Sequence, residues 1–323
     1  MASKFDYLIK KIDESDFQDY PFRHIEISNF LNEEDFELII TSEEINTPAC
    51  RSDEEIFETL FLSGYKLIPF PGATTDHREY IENRKKNIST QGHSATESAG
   101  VVLRLTEPKS NILKELKQFI ESNEFNSALA EKFNLSLSDC SKDSGIQKYL
   151  DEYEISPHPD LRKKALTFML NINNSVDSDS KEHHTHYLKF KPEKKYVQEF
   201  WKGNPLTERC WVPWDWCETV KQQRKNNSIV IFSPSYNTIH AVKAAYCHLE
   251  GQRTQVYGNL WFKEGENSNF VTSTKRLDWW DFDFQEAPTR PSPTLISRSM
   301  KALKDKFFGS EKTEVDSSRS DHY

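Results

Sequence analysis

Residues 149–173 read YLDEYEISPHPDLRKKALTFMLNIN, and the reading of the fold turns on them. The run Ala165–Ile172 is short and almost wholly apolar, which suits a buried strand. His158, Pro159 and Asp160 stand just before it. A His and an Asp two residues apart on extended chain point to the same face. Both side chains then reach one point at the rim of a packed element, where an imidazole and a carboxylate can share a metal ion. The pair also has an ordinary explanation, a loop histidine beside a helix-capping aspartate. In a chain with ten His, a chance match is unsurprising.

Downstream, the context favours the metal. Ser228–Phe232 is a compact apolar strand, broken by Ser233-Pro234-Ser235. His240 opens the next run and is the best candidate for a third ligand; Arg253 opens the one after. His240–Leu249 and Thr254–Phe262 read as a strand pair joined by Glu250-Gly251-Gln252. Two His and one carboxylate on one side of a metal, with open positions opposite, suit non-haem Fe(II) oxygenases. If these strands are neighbours, His158, Asp160 and His240 converge and Arg253 points into the same cavity. His183, His184 and His186 are a competing cluster, because imidazoles suit Zn, Cu and Fe. On a strand over 183–190, His184 and His186 share a face and His183 takes the other; a polar strand end beside the mouth of the site is the favoured reading of the three.

Upstream, helices dominate. Residues 1–20 read as a short helix or an arm. Arg23–Ile27 alternates like a half-buried strand, and Asn32 is placed to cap a helix beginning at Glu33. Residues 46–100 carry a turn signal at Pro69-Phe70-Pro71-Gly72 and a charged stretch, Asp76–Lys86. Val101–Leu105 is β-prone. Asn111–Ser122 repeats its apolar residues at helical spacing, and a second helix is expected over Phe125–Phe133. Between the strands, 191–226 is a long connection holding Trp201, Trp211, Trp214 and Trp216. Long connections are often lids, and a satellite apolar cluster is the alternative. Beyond 270 come an aromatic acidic patch (Trp279, Trp280, Phe282, Phe284), a Pro-rich stretch, a basic helix over 296–308 and a tail of disordered composition.

Helices first and short strands after predict an α+β chain with a mainly β core, a double-stranded β-helix (jelly roll) supported by N-terminal helices. The expected divisions are an arm (1–20), one domain (21–270, helical support to about 145 and jelly-roll core over 146–264) and an extension (271–323). The chain has 323 residues and a net charge of −9, which argues against a general nucleic-acid binder. Its five Cys are odd in number and without paired spacing. They read as free thiols, and with no secretory signal or membrane-spanning run the expected location is cytoplasmic. Oligomeric state is not legible.

YLDEYEISPHPD, LTFMLNIN, NSIVIFSP, IHAVKA and RTQVYGNLWF, in that order, resemble the iron(II)/2-oxoglutarate-dependent dioxygenases, in the prolyl-hydroxylase-like branch. RHIEISNFLNEEDFELI resembles the family's entry strand and helix, so the likeness spans roughly 20–264. It implies the jelly roll, with His158, Asp160 and His240 as iron ligands. Arg253 would pair with the distal carboxylate of 2-oxoglutarate and Tyr149 would line the cosubstrate pocket. The implied activity uses Fe(II), 2-oxoglutarate and O2 to hydroxylate an unidentified protein side chain, such as proline, or a small metabolite. Succinate and CO2 would be released. The sequence departs from the pattern twice. The spacing from His240 to Arg253 is longer than the family's, and Gln255 stands where the family often has Ser, although its amide can still donate to a carboxylate. The alternatives are a non-catalytic jelly-roll binding module, against which the intact set His158, Asp160, His240 and Arg253 argues, and a cupin-like zinc hydrolase, which has no need of Arg253.

Overall fold

Two antiparallel sheets are built from eleven strands, in a computed structural model that describes residues 3–69, 73–86, 95–175, 177–205 and 207–263. In chain order the strands are β1 (Ile25–Ser28), β2 (Tyr65–Leu67), β3 (Val102–Leu105), β4 (Cys140–Tyr149), β5 (Glu154–His158), β6 (Lys164–Asn171), β7 (Thr185–Phe190), β8 (Cys217–Gln223), β9 (Ser228–Phe232), β10 (His240–Lys243) and β11 (Arg253–Phe262). The larger sheet runs β1-β9-β6-β11-β4-β3-β2 and the smaller β5-β10-β7-β8. From β4 to β11 the chain changes sheet at every step except between β7 and β8. Among the described residues seven α-helices accompany them: α1 (Tyr7–Glu14), α2 (Glu33–Ile40), α3 (Asp53–Leu62), α4 (His77–Lys85), α5 (Asn111–Glu121), α6 (Asn123–Lys132) and α7 (Lys195–Gly203).

The period-2 alternation of the strands divides the interior. On β11, Val256 and Leu260 join Ile146, Leu166, Phe168 and Leu170 in the main core, with Leu116, Phe119, Phe125 and Leu129 of α5 and α6. The opposite face of β11 carries Arg253, Gln255 and Asn259, all buried and polar. That face meets the small sheet, where Tyr187 packs with Met169, Val230 and Phe232. One side of the large sheet is thus an apolar floor and the other lines a polar cleft. Asn32 caps α2 by accepting from the N–H of Asp35 at 2.8 Å, and acidic residues fill that helix's first turn. The N-terminal residues are tied in: Phe5, Leu8 and Ile12 are buried in the main core, each worth about 1.5–3 kcal/mol by burial.

Several local expectations are corrected. β10 and β11 are not a pair: β10 lies between β5 and β7, and β11 between β4 and β6. The chain between them anchors on the helical side, where Leu249 accepts from the N–H of Cys50 and His248 lies 2.9 Å from Asp53. The long His240–Arg253 spacing is therefore a crossing between sheets and not an extended hairpin. The stretch 46–100, opaque in sequence, supplies α3, β2 and α4. The 191–226 connection contains α7 and the edge strand β8. The patch at 279–284, the helix at 296–308 and the tail lie outside the described residues.

Candidate metal centre

His158 ends β5, His240 begins β10, and the two residues are direct partners in the ladder. Their ring centroids are 4.3 Å apart. In each, Nδ1 lies 2.8 Å from the carbonyl two residues earlier, Ser156 for His158 and Thr238 for His240. A carbonyl only accepts, so both Nδ1 atoms carry the proton and both Nε2 atoms present a lone pair. These Nε2 atoms face Asp160, at 3.5 Å from Oδ1 and 3.7 Å from Oδ2. Among the described residues this is the one group of His, Cys, Asp or Glu with ligand atoms close enough to hold a metal. Burial and the neighbouring His158 push His240 down to about 3, so it is neutral at physiological pH.

Asp160 follows Pro159 with a φ of 65°, in the left-handed region, which Asp tolerates better than most side chains. That turn swings its carboxylate back toward the two rings. Lys164 Nζ donates to Oδ1 at 2.6 Å and the Thr167 hydroxyl lies 2.9 Å from Oδ2. Each carboxylate oxygen has two lone pairs, so both keep one for a metal. Burial alone would raise the Asp160 pKa; Lys164, His240 and His158 overcome it and hold the carboxyl well below the ordinary range. The support continues on β11, where Asn259 lies 3.1 Å from the Thr167 hydroxyl and Tyr257 bonds Lys164. Sequence reading passed over Lys164, Thr167, Tyr257 and Asn259. The i,i+4 placement of Lys164 after Asp160 is the one signal that was available.

Arg253 is 2% exposed. Its Nη2 donates to the Thr185 hydroxyl and to Gln255 Oε1, each at 3.0 Å. Nη1 has no partner, and no Asp or Glu among the described residues pairs with this guanidinium. It lies 4.5 Å over the Tyr149 ring, and Tyr149 is its ladder partner on β4. Register ties it to the histidines. Thr185 pairs with Val242 and Tyr187 with His240, so Thr185, Val242, Tyr187 and His240 share the inner face of the small sheet. The Tyr149 hydroxyl is engaged at 2.6 Å by the Gln147 side chain, which leaves its ring as the surface offered to Arg253. Gln255 is fixed from its far end, donating to Asn171 Oδ1 at 2.7 Å. Gln255 thus braces the Arg253 guanidinium against Asn171.

The His183, His184 and His186 cluster does not converge. His183 and His184 precede β7, while His186 lies on the outer face of the small sheet beside Trp214. His183 packs edge-on to His184 and Tyr246, 4.7 and 4.8 Å away. Burial and Arg253 push its pKa to about 2, so it is a neutral wall beside Arg253. The Trp-bearing connection divides its residues. Trp201 and Val212 pack on the outer face of the small sheet with Leu188, Ile239 and Ala241. Trp214 donates to Glu154 at 2.8 Å, and Trp211 stacks on His158 at 5.8 Å.

No family model matches the chain and no curated protein matches it. Solved structures do resemble it, among them prolyl hydroxylases and a member of the 2OG-Fe(II) oxygenase family. A prolyl-4-hydroxylase of Pseudomonas putida covers 80% of this chain and 100% of its own, at 8% identity and a TM-score of 0.37. A Trichoplax adhaerens prolyl hydroxylase, in complex with a hypoxia inducible factor oxygen degradation domain peptide fragment, covers 80% and 91% at 8% identity and 0.37. A Burkholderia pseudomallei oxidoreductase of the 2OG-Fe(II) oxygenase family covers 68% and 94% at 11% identity and 0.28. At these scores the likeness carries no functional argument, and the reading below rests on the side chains of the site. No helix among the described residues is long and apolar enough to cross a membrane.

Proposed function

We propose that the chain is an Fe(II)- and 2-oxoglutarate-dependent dioxygenase. In this reading the two facing sheets are a double-stranded β-helix, β4-β11-β6-β9 against β5-β10-β7-β8, with the helices behind the larger one. His158, Asp160 and His240 would hold the iron, and the donor set fits it: two imidazole lone pairs and one carboxylate converge, leaving further positions open. The observation that carries the reading is Arg253. A buried guanidinium without a counter-ion is costly, and this one opens a strand beside the histidine-bearing sheet. A bound dicarboxylate would supply the missing partner. A zinc hydrolase or a plain binding module gives Arg253 no task.

With iron, 2-oxoglutarate and O2 bound, oxidative decarboxylation supplies the power to hydroxylate a C–H bond, with succinate and CO2 released. The protein's part is position and exclusion of water. Arg253, aimed by Thr185 and Gln255, anchors the distal carboxylate with a planar fork. Thr167 and Lys164 hold Asp160 so that its oxygens face the two rings. Trp211 covers one side of His158 and limits solvent there. The substrate is a protein side chain, such as proline, or a small metabolite. Five unpaired thiols suit a reducing compartment, the cytoplasm. The test is anaerobic addition of 2-oxoglutarate to the Fe(II)-loaded chain. A weak visible charge-transfer band is expected; if none develops at saturating cosubstrate, the reading fails.

A further inference from the structure

A second buried guanidinium borders the metal centre, and none of the roles above engages it. Arg209 is 4% exposed. Its Nε is buried without a partner, and among the described residues no hydrogen bond or ion pair reaches its guanidinium. The adjacent acid makes no hydrogen bond to it: Glu208 Oε1 accepts from the backbone N–H groups of Arg162 and Arg209, at 3.0 and 2.9 Å, and acts on the guanidinium through its charge alone. Arg162 is occupied, donating to the carbonyls of Thr207, Trp201 and Asn204. That grip fixes the segment leading into Arg209.

The segment that carries Arg209 runs beside the ligands. The N–H of Val212 bonds the carbonyl of Pro157 at 2.9 Å, so this segment continues along the outer edge of β5, beyond the stretch bridged by Thr96 and Ala99 and next to His158. Val212 packs outward with Trp201 and Ile239. Trp211, its neighbour, faces the other way and stacks on His158. Its indole N–H is buried and has no acceptor. Arg209, two residues before Trp211, is near enough for the Asp160 carboxylate to act on its charge. Burial pushes its pKa to about 10, so the charge persists at neutral pH. The chain thus keeps an unpartnered cation and an unpartnered donor together beside His158, on a different element from Arg253.

We infer that Arg209 and Trp211 form the anion-binding half of the primary-substrate site: the molecule oxidised here carries a carboxylate or phosphate that docks on Arg209. This rests on the dioxygenase reading for what happens to the substrate, while the docking itself can be measured without turnover. The anion is supplied either by a free small molecule or by an acidic residue of a peptide.

The test uses the full chain loaded with Mn(II) and saturated with 2-oxoglutarate, followed by calorimetry and tryptophan fluorescence. The probes are inorganic phosphate, L-aspartate, the capped peptide acetyl-Gly-Asp-Gly-amide and its neutral Asn counterpart. At least one anionic probe is expected to bind, with the neutral peptide at least tenfold weaker than the acidic one or silent. Arg209→Met is expected to weaken the anion at least tenfold, and Arg209→Lys to restore part of the loss. Binding of phosphate or aspartate assigns a small-molecule source, and binding of the acidic peptide alone assigns a protein. If no anionic probe binds the wild type, or Arg209→Met binds it equally well, the inference is overturned. It is overturned too if Arg209→Met instead loses 2-oxoglutarate, since Arg209 would then serve the cosubstrate. Should Arg209→Met fail to fold, the acidic-against-neutral comparison in the wild type decides. Failure of the wild type to bind 2-oxoglutarate would sink the dioxygenase reading alone, because the same anion titrations on the metal-free chain still judge Arg209.

Discussion

At the scale of single residues, an arginine that anchors a ligand separates from a structural one by what its removal does to the protein without ligands. His158→Ala or Asp160→Ala removes one of three ligands, and metal-dependent 2-oxoglutarate binding is expected to vanish in calorimetry with Mn(II). Unchanged turnover in either variant would remove that residue from the site. Arg253→Met should act in two opposite directions. Losing charge-assisted hydrogen bonds to a carboxylate costs about 1.5–3 kcal/mol, which predicts a roughly 10- to 100-fold weaker 2-oxoglutarate affinity. The ligand-free variant should melt higher than the wild type, because an uncompensated buried charge has become apolar volume. A purely structural arginine would give the reverse: unchanged affinity and a lower melting temperature. That His158, Asp160 and His240 would converge, and that Arg253 would open a strand, was legible from residue type and strand context. Arg209 was not, because an isolated Arg in a Trp-rich connection has no spacing signal; only its burial without a partner marks it.

Among elements, legibility followed periodicity. β6 and β9 are mainly apolar runs bounded by turns, so their existence and approximate limits could be read. The helix α5, with Leu113, Leu116, Phe119 and Ile120 buried, obeys the 3.6-residue rule. Pairing was misread where sequence adjacency was taken for contact: β10 and β11 are consecutive but lie in different sheets. Nothing local records that, since both strands alternate alike. β8 was missed because CETVKQQ is an edge strand with little buried surface. Gly258 on β11 illustrates a constraint that appears only after the sheet is assembled. A Cβ there would fall 2.3 Å from Phe168 Cζ, and Phe168 is held edge-on by Phe125 of α6 at 5.5 Å. The ring has no room to retreat. Gly258→Ala should destabilise by about 1–3 kcal/mol, the range for overpacking, seen as a lower denaturant midpoint with an unchanged slope.

For the molecule as a whole, the junction between helical layer and sheet depends on one more buried cation, Lys148 in β4. It is 0% exposed. Its Nζ donates to the carbonyl of Ile45 and to Gln252 Oε1, at 2.8 and 2.9 Å, while Thr47 bonds the same Gln252 oxygen. The loop after α2, the centre of the large sheet and the approach to Arg253 are joined at this point. A neutral amine has two N–H donors and two acceptors are present, so the uncharged form is fully satisfied. Burial accordingly drives the pKa down to about 7, against about 10.4 for an exposed lysine. Between those values the unfolded chain binds a proton that the folded chain does not. Stability therefore rises with pH across that window, and below pH 7 the full penalty of burying the charge applies. Lys148→Met carries no such proton. Its stability relative to the wild type is expected to be highest near pH 6 and to decline by a few kcal/mol on the way to pH 10. Urea unfolding of both proteins at intervals of one pH unit measures the difference directly. A gap that stays constant from pH 6 to 10 would mean that Lys148 keeps an ordinary pKa and that the junction is held by a charge.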